Sequence, residues 1–259
     1  MTASDPAGSV LVVVPAYNEA GAVGAVVRDL RDHGYRCVVV DDGSSDETAR
    51  VAREAGAPVL RLPFNLGVGG ALRCGFRYAV DHGCTTVVQC DADGQHPAAE
   101  IPRLIAAAEE QDAHLAIGSR FLDGSGDYPV GRTRRFVMRR LAGIVRRSTG
   151  LRITDPTSGF RCIRRPLLDE FADSYPVHYL GDTFEAAIVA ARAGYRVIEV
   201  PVEMRERAVG ASTARPLAAV TFVVRAILAA VVGLNFRIRR FEPAGYTGPE
   251  RRAPTRAPT

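Results

Sequence analysis

The stretch Thr86-Val87-Val88-Gln89-Cys90-Asp91-Ala92-Asp93-Gly94-Gln95-His96-Pro97 passes from a short β-branched run straight into two carboxylates separated by one residue. The run reads as a buried strand, and a polar cluster at its carboxyl end lies where open α/β sheets bind ligands. Carboxylates two apart on an irregular strand end can converge on one hard divalent cation, Mg²⁺ or Mn²⁺, which prefers oxygen ligands and shares itself with phosphates. Taken alone, the pair reads equally well as a turn with a helix-capping Asp. Its place after a buried strand favours the ligand.

Working outward, four more apolar runs appear at Val10 to Val14, Cys37 to Val40, Val59 to Leu62 and Leu115 to Gly118. Between the runs, Ala20 to Asp32, Asp46 to Ala55, Gly69 to Asp81 and Ala98 to Gln111 have helical composition, with Asp46 as an N-cap and Gly34 and Gly56 as stops. Such alternation predicts an α/β fold, a mostly parallel sheet covered by helices on both faces. Two more polar clusters then fall on the ligand edge. Pro15-Ala16-Tyr17-Asn18-Glu19 offers a stacking face and an acceptor, and Asp41-Asp42-Gly43-Ser44-Ser45-Asp46 offers carboxylates to ribose hydroxyls or a base. Asn65-Leu66-Gly67-Val68-Gly69-Gly70-Ala71 precedes a helix but follows the third run, so it is not the dinucleotide fingerprint of a first strand. Beyond Gly118 the pattern loosens into an Arg-rich helix candidate at Arg132 to Arg147, a loop, a helix at Asp182 to Arg192 and a strand at Val197 to Val202.

Of the 259 residues, 47% are hydrophobic and 24% charged, which suits a globular protein with a sizeable core. The formal net charge is +4, and all 33 basic side chains are Arg. Arginine suits forked contacts with phosphates or an anionic membrane surface, but the excess is too small, and aromatic residues too few, for nucleic acid. The five cysteines form no C-x-x-C pair, which argues against disulfides or zinc and for reduced thiols in a cytoplasmic protein. Met1 to Ser9 lacks the basic start and apolar core of a signal peptide. The expected organisation is a flexible segment 1–9, a catalytic domain 10–213, an amphipathic helix within 214–241 and a disordered tail 242–259.

In order and spacing, Pro15-Ala16-Tyr17-Asn18-Glu19, Val40-Asp41-Asp42-Gly43-Ser44, Asn65-Leu66-Gly67, Asp91-Ala92-Asp93-Gly94-Gln95 and Gly118-Ser119-Arg120-Phe121 resemble family-2 glycosyltransferases of the GT-A fold. The second half resembles the polyprenol-phosphate sugar synthases of the dolichol-phosphate mannose synthase group. Asp155-Pro156-Thr157-Ser158-Gly159-Phe160-Arg161 is similar to their acceptor-side loop, and Glu199-Val200-Pro201-Val202 with Arg207, Gly210 and Ser212 to their closing segment. The resemblance implies a metal-dependent inverting transferase with a UDP- or GDP-linked sugar as donor. It implies that Pro15, Ala16, Tyr17, Glu19, Val40, Asp42, Asp91, Ala92 and Arg120 surround the nucleotide sugar, and that Asp91, Asp93 and Gln95 hold Mg²⁺ or Mn²⁺. Arg120 and Arg207 would neutralise phosphates, with Arg135, Ser158, Arg161 and Ser212 on the acceptor side. Two departures bear on the acceptor: Thr213 follows Ser212 where relatives carry a basic residue, and Met138 stands where they tend to carry a serine.

A hydroxyl acceptor needs a general base, and Asp182 is the candidate. Polymer-building relatives usually place two adjacent acids there, whereas this chain reads Asp182-Thr183, with Glu185 one turn on. That favours a polyprenyl phosphate, already anionic, over a sugar hydroxyl in a polysaccharide or glycolipid; a third reading is a non-catalytic nucleotide-sugar-binding protein. Pro216 to Phe236 is nearly continuous in apolar residues and long enough in principle to cross a bilayer, but Arg225 sits at its middle and Arg215, Arg237, Arg239 and Arg240 flank it. The pattern predicts a helix lying on the inner face of the cell membrane, or docked on a small membrane-protein partner.

Overall fold

Seven segments of the chain pair into one sheet: β1 (Val10–Ala16), β2 (Cys37–Asp41), β3 (Val59–Arg61), β4 (Thr86–Gln89), β5 (Leu115–Ser119), β6 (Arg161–Arg164) and β7 (Val197–Pro201). The helices are α1 (Val23–Asp32), α2 (Thr48–Glu54), α3 (Val68–Asp81), α4 (Ile101–Glu110, after a single 3₁₀ turn), α5 (Leu167–Ser174) and α6 (Asp182–Arg192). This computed structural model describes residues 10–122, 143, 146, 149–150, 153–155, 158–176 and 182–205.

Strand order is β3-β2-β1-β4-β6-β5-β7. Every pairing is parallel except those of β6, which runs antiparallel to both β4 and β5. Leu11 and Val13 of β1 face a core shared with Leu72 and Phe76 of α3, Phe171 of α5 and Phe184 of α6. Val12 and Val14 face the opposite core with Val27 and Leu30 of α1 and Leu104 of α4. Burial on both faces is why β1, β2 and β4 read as continuous apolar runs rather than alternating ones. Each fully buried Leu or Phe contributes roughly 1.5–3 kcal/mol relative to exposure. Edge contacts of Tyr175 with Phe76 at 5.3 Å and with Phe171 at 5.0 Å fasten α5 onto α3.

The first five strands fall on the expected runs, though β1 continues two residues to Ala16 and β2 one residue to Asp41. Those extensions carry the polar motifs out on regular strand ends. Gly34 and Gly56 end their helices with φ of 78° and 95°. Asp46 Oδ1 accepts the Thr48 N–H at 3.0 Å, so it caps α2 from one residue outside the formal cap, Glu47. The five cysteines are free, and all but the half-buried Cys74 are buried. Strand β6 and helix α5 were not expected. Among the described residues no helix is long and apolar enough to cross a membrane. Segments 1–9, 214–241 and 242–259, with Arg135, Met138, Arg207, Ser212 and Thr213, lie outside the described residues, as does nearly all of Arg132 to Arg147.

Candidate active site

Because β1, β2 and β4 are parallel neighbours, the loops after them open on one edge of the sheet. The first two loops are stitched together. Asn18, held at φ 55°, donates its N–H to Ser44 Oγ at 2.9 Å and accepts the Ser45 N–H on Oδ1 at 2.9 Å. The Glu19 N–H reaches Thr48 Oγ1 at 2.8 Å, and Ala20 N–H reaches Asp46 Oδ2 at 3.1 Å. Tyr17 is left 48% exposed at the rim, in position to present its ring. Pro15, Ala16 and Val40 are buried, with Val40 fully enclosed in the core beside α3 and paired with strands on both sides.

Asp42 is 3% exposed and accepts the Leu66 N–H on Oδ1 at 2.7 Å. Burial pushes its carboxyl above the usual range, against the opposing pull of the Leu66 and Gly67 amides. The Asn65-Leu66-Gly67 loop reaches Asp42 because Gly43 has no side chain. A Cβ on Gly43 would lie 2.7 Å from the Phe64 carbonyl carbon and 2.8 Å from the Asn65 nitrogen. That loop therefore acts as a backbone donor to the second motif.

The third loop follows β4. Cys90 N–H continues the ladder to the Val13 carbonyl at 3.1 Å, after which the chain turns through Asp91 to His96, with Gly94 at φ 81°. Asp93 Oδ1 accepts the Gln95 N–H at 3.0 Å, and the Arg205 N–H bonds the Gln95 carbonyl at 2.9 Å, tying the segment after β7 to this loop. The Asp91 side chain is 36% exposed. Gly159 packs directly on it: a Cβ there would lie 2.6 Å from Asp91 Oδ1 and 2.8 Å from Cγ. The arrangement fits a hard cation shared with a ligand. Asp91 and Asp93 are each partly exposed, and the described residues form no group of three or more His, Cys, Asp and Glu side chains able to hold a metal ion, so a cation there would take its remaining ligands from a bound molecule and water. Ala92 is in the core and Gln95 is half-buried.

On the other side of β4, Arg120 at the end of β5 forms a fork with Asp155, Nε to Oδ2 at 2.7 Å and Nη2 to Oδ1 at 3.2 Å. Asp155 is fully buried and Arg120 nearly so. Glu199 on β7 accepts the Asp155 N–H at 2.6 Å and the Thr154 N–H and hydroxyl at 2.9 Å on Oε1. Burial pushes the Glu199 carboxyl up, while these hydrogen bonds pull the other way. Arg161 is 1% exposed and donates Nε–H to the Ser158 carbonyl at 2.8 Å, supporting the turn from beneath; Ser158 is itself buried, its Oγ taken by the Phe160 N–H. Asp182 opens α6.

The sequence motifs thus meet along one edge. Gly159, His96, Glu199 and Arg205 were not expected to shape it. His96, Gly159 and Glu199 lie within the quoted motifs, but nothing in the sequence gave them this role; Arg205 lies outside those motifs.

Two buried imidazoles are expected to make the stability of the fold depend on pH. His96 and His114 each accept a backbone N–H on Nδ1, from Asp91 and Arg196, both at 3.0 Å. Burial holds both below their ordinary value of 6.5, against the attraction of Asp91, Asp93 and Asp155 on His96 and of Asp112 on His114; Arg120 and Arg164 reinforce the shift. Below 6.5 the unfolded chain takes up protons that the folded chain refuses, so stability rises with pH there. The melting temperature is expected to fall between about pH 7 and pH 5.5, measured calorimetrically; a flat profile would contradict the assignment. Asp42 and Glu199, both raised by burial, oppose this only nearer the carboxylate range.

The fold and its acidic edge define a GT-A glycosyltransferase. The glycosyl transferase family 2 model matches residues 11–171. The chain is 34% identical over 221 residues to the polyprenol monophosphomannose synthase of Mycolicibacterium smegmatis, covering 80% of this chain and 81% of that one. It is 33% identical over 211 residues to the undecaprenyl-phosphate mannosyltransferase of Micrococcus luteus, covering 78% and 86%. Glucosyl-3-phosphoglycerate synthase from Mycobacterium tuberculosis, solved with Mn²⁺, uridine diphosphate and phosphoglyceric acid, shares the fold at a TM-score of 0.66 and 22% identity, covering 87% of this chain and 78% of that one. The chain belongs to glycosyl transferase family 2 and is a glycosyltransferase.

Proposed function

We propose that this glycosyltransferase moves a sugar, with inversion, from a UDP- or GDP-linked donor to a polyprenyl phosphate at the inner face of the cell membrane, with Mg²⁺ or Mn²⁺ held by Asp91, Asp93 and Gln95. The observation that carries the reading is the loop after β4, which carries two partly exposed carboxylates, Asp91 and Asp93, on the same sheet edge as the loops of β1 and β2. The acceptor class follows the two relatives named for polyprenyl carriers.

Tyr17, Glu19 and Asp42 bind the nucleoside, with Pro15, Ala16, Val40 and Ala92 forming the buried frame behind them. An acceptor phosphate oxygen attacks the anomeric carbon from the face opposite the diphosphate. The bond from that carbon to the diphosphate oxygen breaks, and its electron pair leaves with the diphosphate. The cation, when bound, supplies Lewis-acid stabilisation of that leaving group. Arg120 adds fixed positive charge close by, set by Asp155. Ser158 and Arg161 serve the acceptor side, and Arg135, Arg207 and Ser212 bind the acceptor phosphate. Residues 214–241 attach the enzyme to the membrane surface or to a small membrane partner.

The test is incubation of the enzyme with Mn²⁺, UDP- and GDP-sugars and polyprenyl phosphate, which should release nucleoside diphosphate and form a lipid-linked sugar. No turnover with any donor would overturn the reading. Asp182→Asn is expected to keep kcat within about threefold on a phosphate acceptor, whereas a loss of roughly 10²- to 10⁴-fold would identify a general base and a hydroxyl acceptor.

A further inference from the structure

His96 has no role in the chemistry above, yet both of its ring nitrogens are turned toward one residue. The Asp91 N–H donates to His96 Nδ1 at 3.0 Å. A ring nitrogen that accepts carries no proton, so the neutral imidazole holds its proton on Nε2. That nitrogen lies 3.9 Å from Asp91 Oδ2, and a small rotation of the carboxylate closes the gap to a hydrogen bond.

The ring itself is fixed. It is 6% exposed and stacks on Phe160 with centroids 4.9 Å apart and planes 11° from parallel. Phe160 follows Gly159, whose backbone closes the other side of the Asp91 carboxylate. The carboxylate thus sits between an imidazole and a glycine, with about a third of the side chain exposed. The loop's frame is held by bonds that do not involve the ring, from Cys90 to Val13, from Gln95 to Asp93 and from Arg205 to Gln95. A ring needed only for packing would not have to aim a donor at a carboxylate.

We propose that His96 is the positioning residue of the cation site: Nδ1 holds the Asp91 main chain, and Nε2–H holds one carboxylate oxygen so that the other faces the cation. The inference rests on the reading that Asp91 and Asp93 bind that cation. Groups that orient a metal-binding side chain typically matter about 10- to 100-fold in metal affinity.

The experiment titrates Mn²⁺ into the full chain with uridine or guanosine diphosphate present, following the EPR signal of the free ion. His96→Asn keeps an acceptor near the Nδ1 position but no donor at Nε2, and is expected to weaken Mn²⁺ binding about tenfold or more. His96→Gln places an amide N–H near Nε2 but gives up the Nδ1 acceptor, and is expected to lose clearly less Mn²⁺ affinity than His96→Asn. At saturating Mn²⁺ the Asn variant should recover kcat to within about threefold, placing its defect in the Mn²⁺ requirement. Phe160→Leu, which removes the stack but no polar contact, should lower the melting temperature without a matching loss of affinity. Wild-type affinity in His96→Asn overturns the proposal, as does equal loss in the Asn and Gln variants or equal loss in Phe160→Leu. Absence of any Mn²⁺ binding sensitive to Asp93→Asn overturns the metal reading and this inference together. Binding that is sensitive to Asp93→Asn but indifferent to His96→Asn overturns the inference alone.

Discussion

Asp93→Asn is expected to lower turnover by at least about 10²- to 10³-fold at saturating donor, while leaving the fold intact. In the structure Asp93 Oδ1 accepts the Gln95 N–H, and an Asn side chain keeps an oxygen there, so the turn of the loop survives the exchange. What disappears is a negative charge. On the proposed reading, in which Asp91 and Asp93 supply the carboxylates for the cation, removing one would take half of that anionic hold, and the charge developing on the leaving diphosphate would lose its main counterweight. Steady-state release of nucleoside diphosphate, alongside the melting temperature, is the measurement. Activity within about threefold of wild type would remove Asp93 from the reaction. Asp91→Asn should act in the same direction but is the less clean substitution, because Asp91 also faces His96 and Gly159.

The parts of this protein that could be read from its sequence are those whose physics is local. Strands β1, β2 and β4 are buried on both faces, so each appears as an apolar run, and the carboxylates follow directly in the chain. Strand β6 gave no such signal. Arg161 and Arg164 bracket it, and a strand whose first residue is a fully buried Arg contradicts the usual exposure of that side chain. The burial is possible because the Ser158 carbonyl receives Nε–H, a contact that exists only once the turn has formed. The acidic edge was legible, but the support on its far side was not: Arg120 and Asp155 are 35 positions apart, and Asp155 and Glu199 are 44 apart. No periodicity joins such residues. His96 was visible within its motif but without a role, because the group it bonds is the Asp91 backbone N–H, which no side-chain pattern announces.

That far-side network carries the largest stability effect expected of a single exchange. Asp155→Ala should destabilise the fold by about 3–5 kcal/mol, the loss typical of leaving one member of a buried ion pair alone. Asp155 is fully buried, its fork with Arg120 is bidentate, and its main-chain N–H is already committed to Glu199. The Arg120 guanidinium, barely exposed and 5.5 Å above the Phe121 ring, would lose the carboxylate that holds it. Asp155→Asn keeps one acceptor and should cost less, roughly 1–3 kcal/mol. Arg120→Met combined with Asp155→Ala removes both charges and should regain most of the stability, so that the double-mutant cycle shows strong coupling between the two sites. Activity separates the two roles of Arg120. If its charge stabilises the leaving diphosphate, the double variant stays down by about 10²-fold or more even though it folds. If Arg120 serves only as the partner of Asp155, turnover returns with stability, and the electrostatic role proposed for it is excluded.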